Sequence, residues 1–288
     1  MIIMKIVVLG ISGLIGSHIF KEFSKNFNTI GTLRKSIGNY EGVSLFKNDN
    51  VIDNVDVLNF ENLSNILIKA KPYYIINCVG ITKRKINNNI SKAIEVNSVF
   101  PHKLADWAIK NNSRLIHFST DCVYNGFEGN YNEKSPTNAL DIYGKTKALG
   151  EIDYKNCLTI RSSFIGTELF DKTELLEWVL SNNRKKIKGF KKTMYSGVST
   201  LFLTKFIMRI VSERIQINGL YNLAPKIPIS KYDLICLIKK EFNLNLEIEP
   251  ENETIHNPTL DGSKLRSIVD IKIPSWDIML KNLSLYKI

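Results

Sequence analysis

Two side chains four residues apart, Tyr143 and Lys147 in "YGKTK", share one face if that stretch is helical. A free tyrosine, with its pKa near ~10, is a poor proton donor or acceptor at neutral pH. A neighbouring ammonium favours the phenolate and lowers that pKa, so the pair can exchange a proton with a carbonyl or alcohol oxygen. Isolated Y-x-x-x-K matches are common on ordinary amphipathic helices, and the surroundings decide. Upstream, "STDCVYNG" follows the greasy run "RLIHFS" and presents a hydroxyl, a carboxylate and a thiol in succession: Thr120, Asp121 and Cys122. Three polar side chains in a row do not build a core. They suit the open end of a buried strand, from which the Thr120 hydroxyl reaches a substrate oxygen beside Tyr143.

A second group of residues suits an anion. The first apolar run ends in "GISGLIG", with Gly10, Gly13 and Gly16 three apart and Ser12, Leu14 and Ile15 between them. Glycine permits the tight turn, backbone N–H groups then approach a pyrophosphate, and the following helix presents its N-terminus to it. The spacing is a wider form of the G-x-G-x-x-G dinucleotide fingerprint. The next strand ends "GTLRKS". An acid there selects a free ribose 2′-hydroxyl, and a basic residue accommodates a 2′-phosphate. Arg34 and Lys35, with the hydroxyl of Ser36, therefore predict NADP(H) over NAD(H). Asp56, followed by Val57, is placed either at the adenine edge or as a cap on the next helix.

These groups need a scaffold. "KIVVLG", "TIGTL", "NVDVLN", "YYIINCVG", "RLIHFS" and "CLTIRSS" read as strands. Helical patterns separate them, including a long one, "ISKAIEVNSVFPHKLADWAIKN", that tolerates or bends at Pro101. Continuous apolar strands alternating with helices predict a Rossmann-like α/β fold, a doubly wound parallel sheet covered on both faces, with ligands at the strands' carboxyl ends. After about residue 166 helices dominate. The predicted division is a nucleotide-binding domain over 1–166 and a smaller, mostly helical substrate lobe over 167–288, interleaved with the last strands of the main sheet.

With 288 residues, 44% of them hydrophobic, the chain can bury a sizeable core. Its formal charge of +11 favours an anionic partner. The densest basic run, "NRKKIKGFKK", is either a solvated turn or a phosphate-facing segment, and no nucleic-acid-binding pattern accompanies it. Cys78, Cys122, Cys157 and Cys236 are scattered, with no metal spacing, as in a reduced cytoplasmic protein without a metal site. No apolar run reaches membrane-spanning length, and the N-terminus reads as a strand, not a signal peptide.

Together the glycine spacing, "NCVG", "STD", "YGKTK" and "RSSFIG" resemble an extended short-chain dehydrogenase/reductase. "STDCVYNG…GNYNEKSPTNALDIYGKTKALGE" is similar to the dTDP-4-dehydrorhamnose reductase family, well over residues 4–166 and more loosely beyond. The resemblance implies a catalytic set on Thr120, Tyr143 and Lys147, with NADPH reducing the C4 ketone of a nucleoside-diphosphate 6-deoxyhexose in surface-polysaccharide synthesis. It implies that Asn77, Val79 and Gly80 line the cofactor groove, that Asn97 and Arg161 are structural, and that Arg184 in the basic run serves the substrate diphosphate. Asp121 either contacts a sugar hydroxyl or caps its turn. A homodimer is compatible with the family. Cys122 departs from the pattern: several rhamnose reductases carry an aromatic residue there, whereas GDP-fucose synthases use a cysteine in epimerisation, together with a histidine after the strand that corresponds to "LTIRSSFIG". Here "TELFDKTELLEW" follows and holds none. The alternatives are thus an epimerase-reductase using Cys122, a role for Cys122 in shaping the pocket, and a non-catalytic NADP-binding subunit like the β subunit of methionine adenosyltransferase.

Overall fold

The computed structural model describes residues 4–47, 49–86 and 89–286. The chain opens with β1 (Lys5–Leu9), α1 (Leu14–Asn26) and β2 (Asn28–Thr32). It continues through β3 (Val51–Ile52), α2 (Phe60–Ala70), β4 (Tyr74–Asn77), α3 (Ile90–Ile94), α4 (Phe100–Lys110), β5 (Arg114–Ser119), α5 (Ile142–Leu149), β6 (Cys157–Arg161) and β7 (Phe164–Ile165). The remainder forms α6 (Leu175–Ser181), β8 (Lys186–Phe190), β9 (Met194–Tyr195), β10 (Val198–Ser199), α7 (Thr200–Ser212), β11 (Gly219–Asn222), β12 (Ile229–Ser230), α8 (Lys231–Glu241), β13 (Glu247–Glu251), α9 (Ser263–Ile268) and α10 (Trp276–Leu285).

Seven strands make one sheet in the order β11-β6-β5-β4-β1-β2-β3. Every neighbouring pair is parallel. The fold is the Rossmann-like doubly wound sheet that the strand–helix alternation predicts. Its order reverses between β1 and β4, where Leu9 pairs with Asn77 at the carboxyl end. Side chains alternate across the pleat. Ile6 and Val8 join Ile76, Ile116 and Ile160 in one core with Phe20 and Phe23 of α1 and Ile207 of α7. Val7 and Leu9 face the other way, with Ile75, Leu63 and Leu67 of α2 and Leu104 of α4. The second half returns to the sheet through β11, and β7 pairs with β10 beside it. Of its helices, α8 packs on the strand pairs β8–β13 and β9–β12, with α6 and α10 against it.

One expectation changes and one is narrowed. "NVDVLN" is not a strand. The sheet ends on β3, Asn54 turns at φ 55°, and Val55 and Val57 are buried as anchors without strand pairing. The long helix tolerates Pro101, the first of its two readings. It runs from α3 into α4 through a π-helical turn over Glu95–Val99, and Pro101 follows that turn directly, where the ladder has already shifted.

The first turn of α1 packs directly on the end of β1. A Cβ on Gly16 would lie 2.2 Å from the Gly10 carbonyl oxygen, and backbone cannot rotate away as a side chain can. Gly16→Ala is therefore expected to destabilise the protein by about 1–3 kcal/mol, the usual cost of overpacking, as read by denaturant unfolding. An unchanged midpoint would show that the contact relaxes freely.

Candidate functional site

The carboxyl edge of the sheet opens into two adjoining cavities, of about 810 and 500 Å³. They share Ser12, Gly13, Cys78, Val79, Gly80, Ile81, Lys85, Phe170 and Asp171, so the two form one cleft across the reversal between β1 and β4. Gly10 turns at φ 78°, donates its N–H to Thr32 Oγ1 at 3.3 Å, and accepts from the Gly13 N–H at 3.1 Å. The wider cavity is lined by Gly10, Arg34, Lys35 and Val57, together with Asn39, Tyr40, Asn89 and Lys92. The narrower one takes in Leu14, Ile15, Asn77, Thr120, Asp121, Cys122, Tyr143 and Lys147. An elongated groove that runs from a glycine turn at a helix N-terminus to cations at the end of β2 fits a phosphorylated dinucleotide.

Local chemistry explains how the half around Tyr143 is built. Asp141 caps α5 by accepting from the Gly144 N–H at 2.8 Å. A Cβ on Gly144 would lie 2.1 Å from the Cys122 carbonyl oxygen, so glycine lets α5 lie against the turn after β5. Tyr143 and Thr120 thereby meet: the Thr120 hydroxyl lies close enough to the phenol to favour its ionised form. Burial outweighs this, and the charges of Cys122 and Asp121 add to it, so the Tyr143 phenol is pushed up. The expected lowering by Lys147 does not appear: Lys147 is not among the groups acting on the phenol, and removing the phenolate from water dominates. Lys147 is itself buried, donates to the Phe118 carbonyl at 2.7 Å, and is pulled down to about 8 by burial, against the opposing charge of Glu151. Asn77 accepts from the Val79 N–H at 3.1 Å and fixes the turn after β4. Asn97 accepts from the Ile81 N–H and donates to the Ile81 carbonyl, clamping the same loop.

Asp121 is 3% exposed. One carboxylate oxygen accepts from Thr120 and Cys122, and the other accepts from the Ser163 hydroxyl at 2.6 Å. The Cys122 thiol is pushed up to about 12, first by burial and then by the Asp121 charge.

Four candidate residues are placed differently. Arg184 does not line the cleft. It turns at φ 66° ahead of β8, and the surrounding basic run is a strand, not a turn, with Lys186 pairing Glu247 at 3.2 Å. Ser36 lies just outside the groove, at the start of a 3₁₀ turn. Asp56 neither lines the groove nor caps α2. It accepts from the Leu58 N–H at 3.0 Å, and Asn59 is the cap. Gly16 acts through packing rather than as lining.

The structure adds cations that the sequence reading did not select. Lys83, Arg84, Lys231 and His256 all line the narrower cavity. Lys83 and Lys231 both act on His256 and lower its pKa, after burial. Tyr195 and Glu174 also reach this cavity, and Phe170 packs on Tyr40 with ring centroids 5.3 Å apart. "TKRK" was visible as a basic run, but nothing local signals that residues 231 and 256 return to it.

The RmlD substrate binding domain model matches residues 4–284. The chain belongs to that family. It is 26% identical to a dTDP-4-dehydrorhamnose reductase of Aggregatibacter actinomycetemcomitans, over 98% of this chain and 99% of the relative. It is equally 26% identical to methionine adenosyltransferase 2 subunit beta of Xenopus tropicalis, over 91% of this chain and 81% of the relative. Among solved structures, the NADP complex of dTDP-4-dehydrorhamnose reductase from Bacillus anthracis superposes with a TM-score of 0.81 at 16% identity, covering 97% of this chain and 98% of that one. That likeness is one of fold.

The state of Cys122 has a direct readout. A thiol held near 12 has a thiolate fraction of roughly one in ten thousand at pH 8. Cys122 is expected to resist iodoacetamide at neutral pH and to react about tenfold faster per pH unit as the thiolate forms. Rapid stoichiometric labelling at pH 7, mapped by mass spectrometry, would contradict the buried neutral thiol.

Proposed function

We propose that the protein is an NADPH-dependent ketoreductase acting on a nucleoside-diphosphate 6-deoxyhexose, of the kind that reduces a 4-keto group. The observation that carries this reading is the meeting of Thr120, Tyr143 and Lys147 in a cleft continuous with the glycine turn. Gly10, Ser12, Gly13, Leu14 and Ile15 would cradle the cofactor's pyrophosphate, Asn77, Val79 and Gly80 would line its path, and Arg34 and Lys35 would receive the 2′-phosphate. When bound, the cofactor supplies hydride. The chain's own residues then handle the oxygen. Thr120 donates a hydrogen bond to the carbonyl, and Tyr143, held as a neutral phenol, gives its proton to the developing alkoxide. Lys147 places a positive charge beside that exchange. Lys83, Lys231 and His256 take the role that Arg184 was expected to fill and face the substrate diphosphate. The neutral thiol of Cys122 suits a wall of the sugar pocket better than a carbanion-forming base.

A second reading has its own support. The similarity to methionine adenosyltransferase 2 subunit beta is as high as that to the reductase, so a binding subunit that keeps the dinucleotide site is the competing function.

NADPH consumption with 4-keto-6-deoxyhexoses carried on dTDP, UDP, GDP and CDP separates the two. Turnover with one carrier, reduced by orders of magnitude in Tyr143→Phe while NADPH binding persists, is the expected result. Silence across the panel with NADPH bound would favour the binding subunit. Arg34→Ala is expected to weaken NADPH by about 1–3 kcal/mol and NADH much less, in line with loss of a charged hydrogen bond. Equal losses by isothermal titration would place the 2′-phosphate elsewhere. Lys231→Gln should raise KM for the nucleotide sugar about tenfold or more with kcat nearly kept, the mark of uniform binding. An unchanged KM would remove Lys231 from the diphosphate site.

A further inference from the structure

Tyr143, Lys147 and Glu151 follow one another at intervals of four, and Glu151 lies two residues beyond the end of α5. We propose that Glu151 is a positioning residue for the proton-transfer site: one buried carboxylate serves as counter-charge to Lys147, clamps Ser119 immediately before Thr120, and is itself fixed by Arg161. This rests on the ketoreductase reading for its purpose, though not for its geometry.

The Ser119 hydroxyl donates to Glu151 Oε1 at 2.6 Å, which fixes the last residue of β5. Arg161 Nε donates to the same oxygen at 2.5 Å, and its Nη2 pairs with Oε2. The side chains of Arg161 and Glu151 are only 4% and 10% exposed. Arg161 Nη1 donates to the Tyr124 hydroxyl at 2.6 Å, and the Tyr124 ring stacks on Tyr131 with centroids 4.0 Å apart. A carboxylate so enclosed cannot swing to solvent, so its charge and its hold on β5 are fixed features of the site. Its charge favours the Lys147 ammonium against burial.

Other titratable groups face Lys147. Tyr143 on the same helix is pushed up by burial, and His117 on β5 is lowered well below its ordinary value by burial and by Lys147. His102 on α4 lies beyond His117 and acts on it. Arg161 on β6 stands behind Glu151. Tyr143 and His117 therefore both stay neutral between roughly pH 7 and 10, which leaves Lys147 as the group among these that titrates there.

The decisive experiment is NADPH affinity, followed by fluorescence across that range, in wild type, E151Q and E151D. A group held near 8 is charged below that pH and loses its charge above it. Wild-type affinity should thus fall as pH rises through about 8. Removing the Glu151 charge favours the neutral amine, so E151Q should begin its fall about one pH unit lower, with affinity about tenfold weaker in that interval. E151D, which keeps the charge, should restore most of the wild-type profile. Because E151Q leaves a buried guanidinium unpaired and can unfold, E151Q/R161M, which removes both charges, is measured alongside it. A flat wild-type profile, or folded E151Q and E151Q/R161M with the wild-type midpoint, would overturn the proposal. A shifted profile in a protein that reduces no keto-sugar would uphold the role of Glu151 and reject the ketoreductase reading.

Discussion

All seven strands of the main sheet run the same way, and the rest of the molecule depends on that. Parallel pairing sends every carboxyl end to one edge, and the reversal of order between β1 and β4 prevents the connecting loops there from closing over one another. The glycine turn after β1, the "NCVG" turn after β4 and the polar run after β5 are forced into neighbouring places. Close backbone contact then sets how near they come. Gly16 lets α1 reach the end of β1, and Gly144 lets α5 lie against the turn that carries Thr120.

Burial controls the electrostatics inside that edge. It pushes Tyr143 and Cys122 towards their neutral forms and brings Lys147 down to about 8, so the site holds two proton donors and an ammonium near its titration point. The opposing interactions are few and specific: Thr120 on Tyr143, and Glu151 on Lys147. A phenol that keeps its proton suits the reductive direction, where the oxygen of the product needs one. Within the cleft, Lys231 and Lys83 bring positive charge beside His256, which burial and those two lysines hold towards its neutral form, and part of Lys83 is neutralised by Asp141 at 2.7 Å. An anion between the lysines would offset their repulsion.

The relatives show how little the fold alone decides. A reductase and a subunit of another enzyme are equally similar to this chain. In this chain a hydroxyl, a phenol and an amine, those of Thr120, Tyr143 and Lys147, line the same cleft as the glycine turn.

The sequence by itself determined the parallel sheet, because unbroken apolar strands alternating with amphipathic helices have few other ways to bury both faces. It also determined the glycine turn and the Thr120, Tyr143 and Lys147 set, since each lies within a short stretch whose spacing is its own signal. It failed where position depends on long-range return. The family resemblance assigns Arg184 to the diphosphate, yet its segment pairs with β13 and does not line the cleft. Lys231 and His256 looked ordinary and arrive in the cleft only because α8 and the loop after β13 fold back over it. The balance of charge was likewise hidden. Spacing put Lys147 beside Tyr143 and suggested a lowered phenol, but only the packed structure showed how much water each group had lost, and that loss dominates the titration of both.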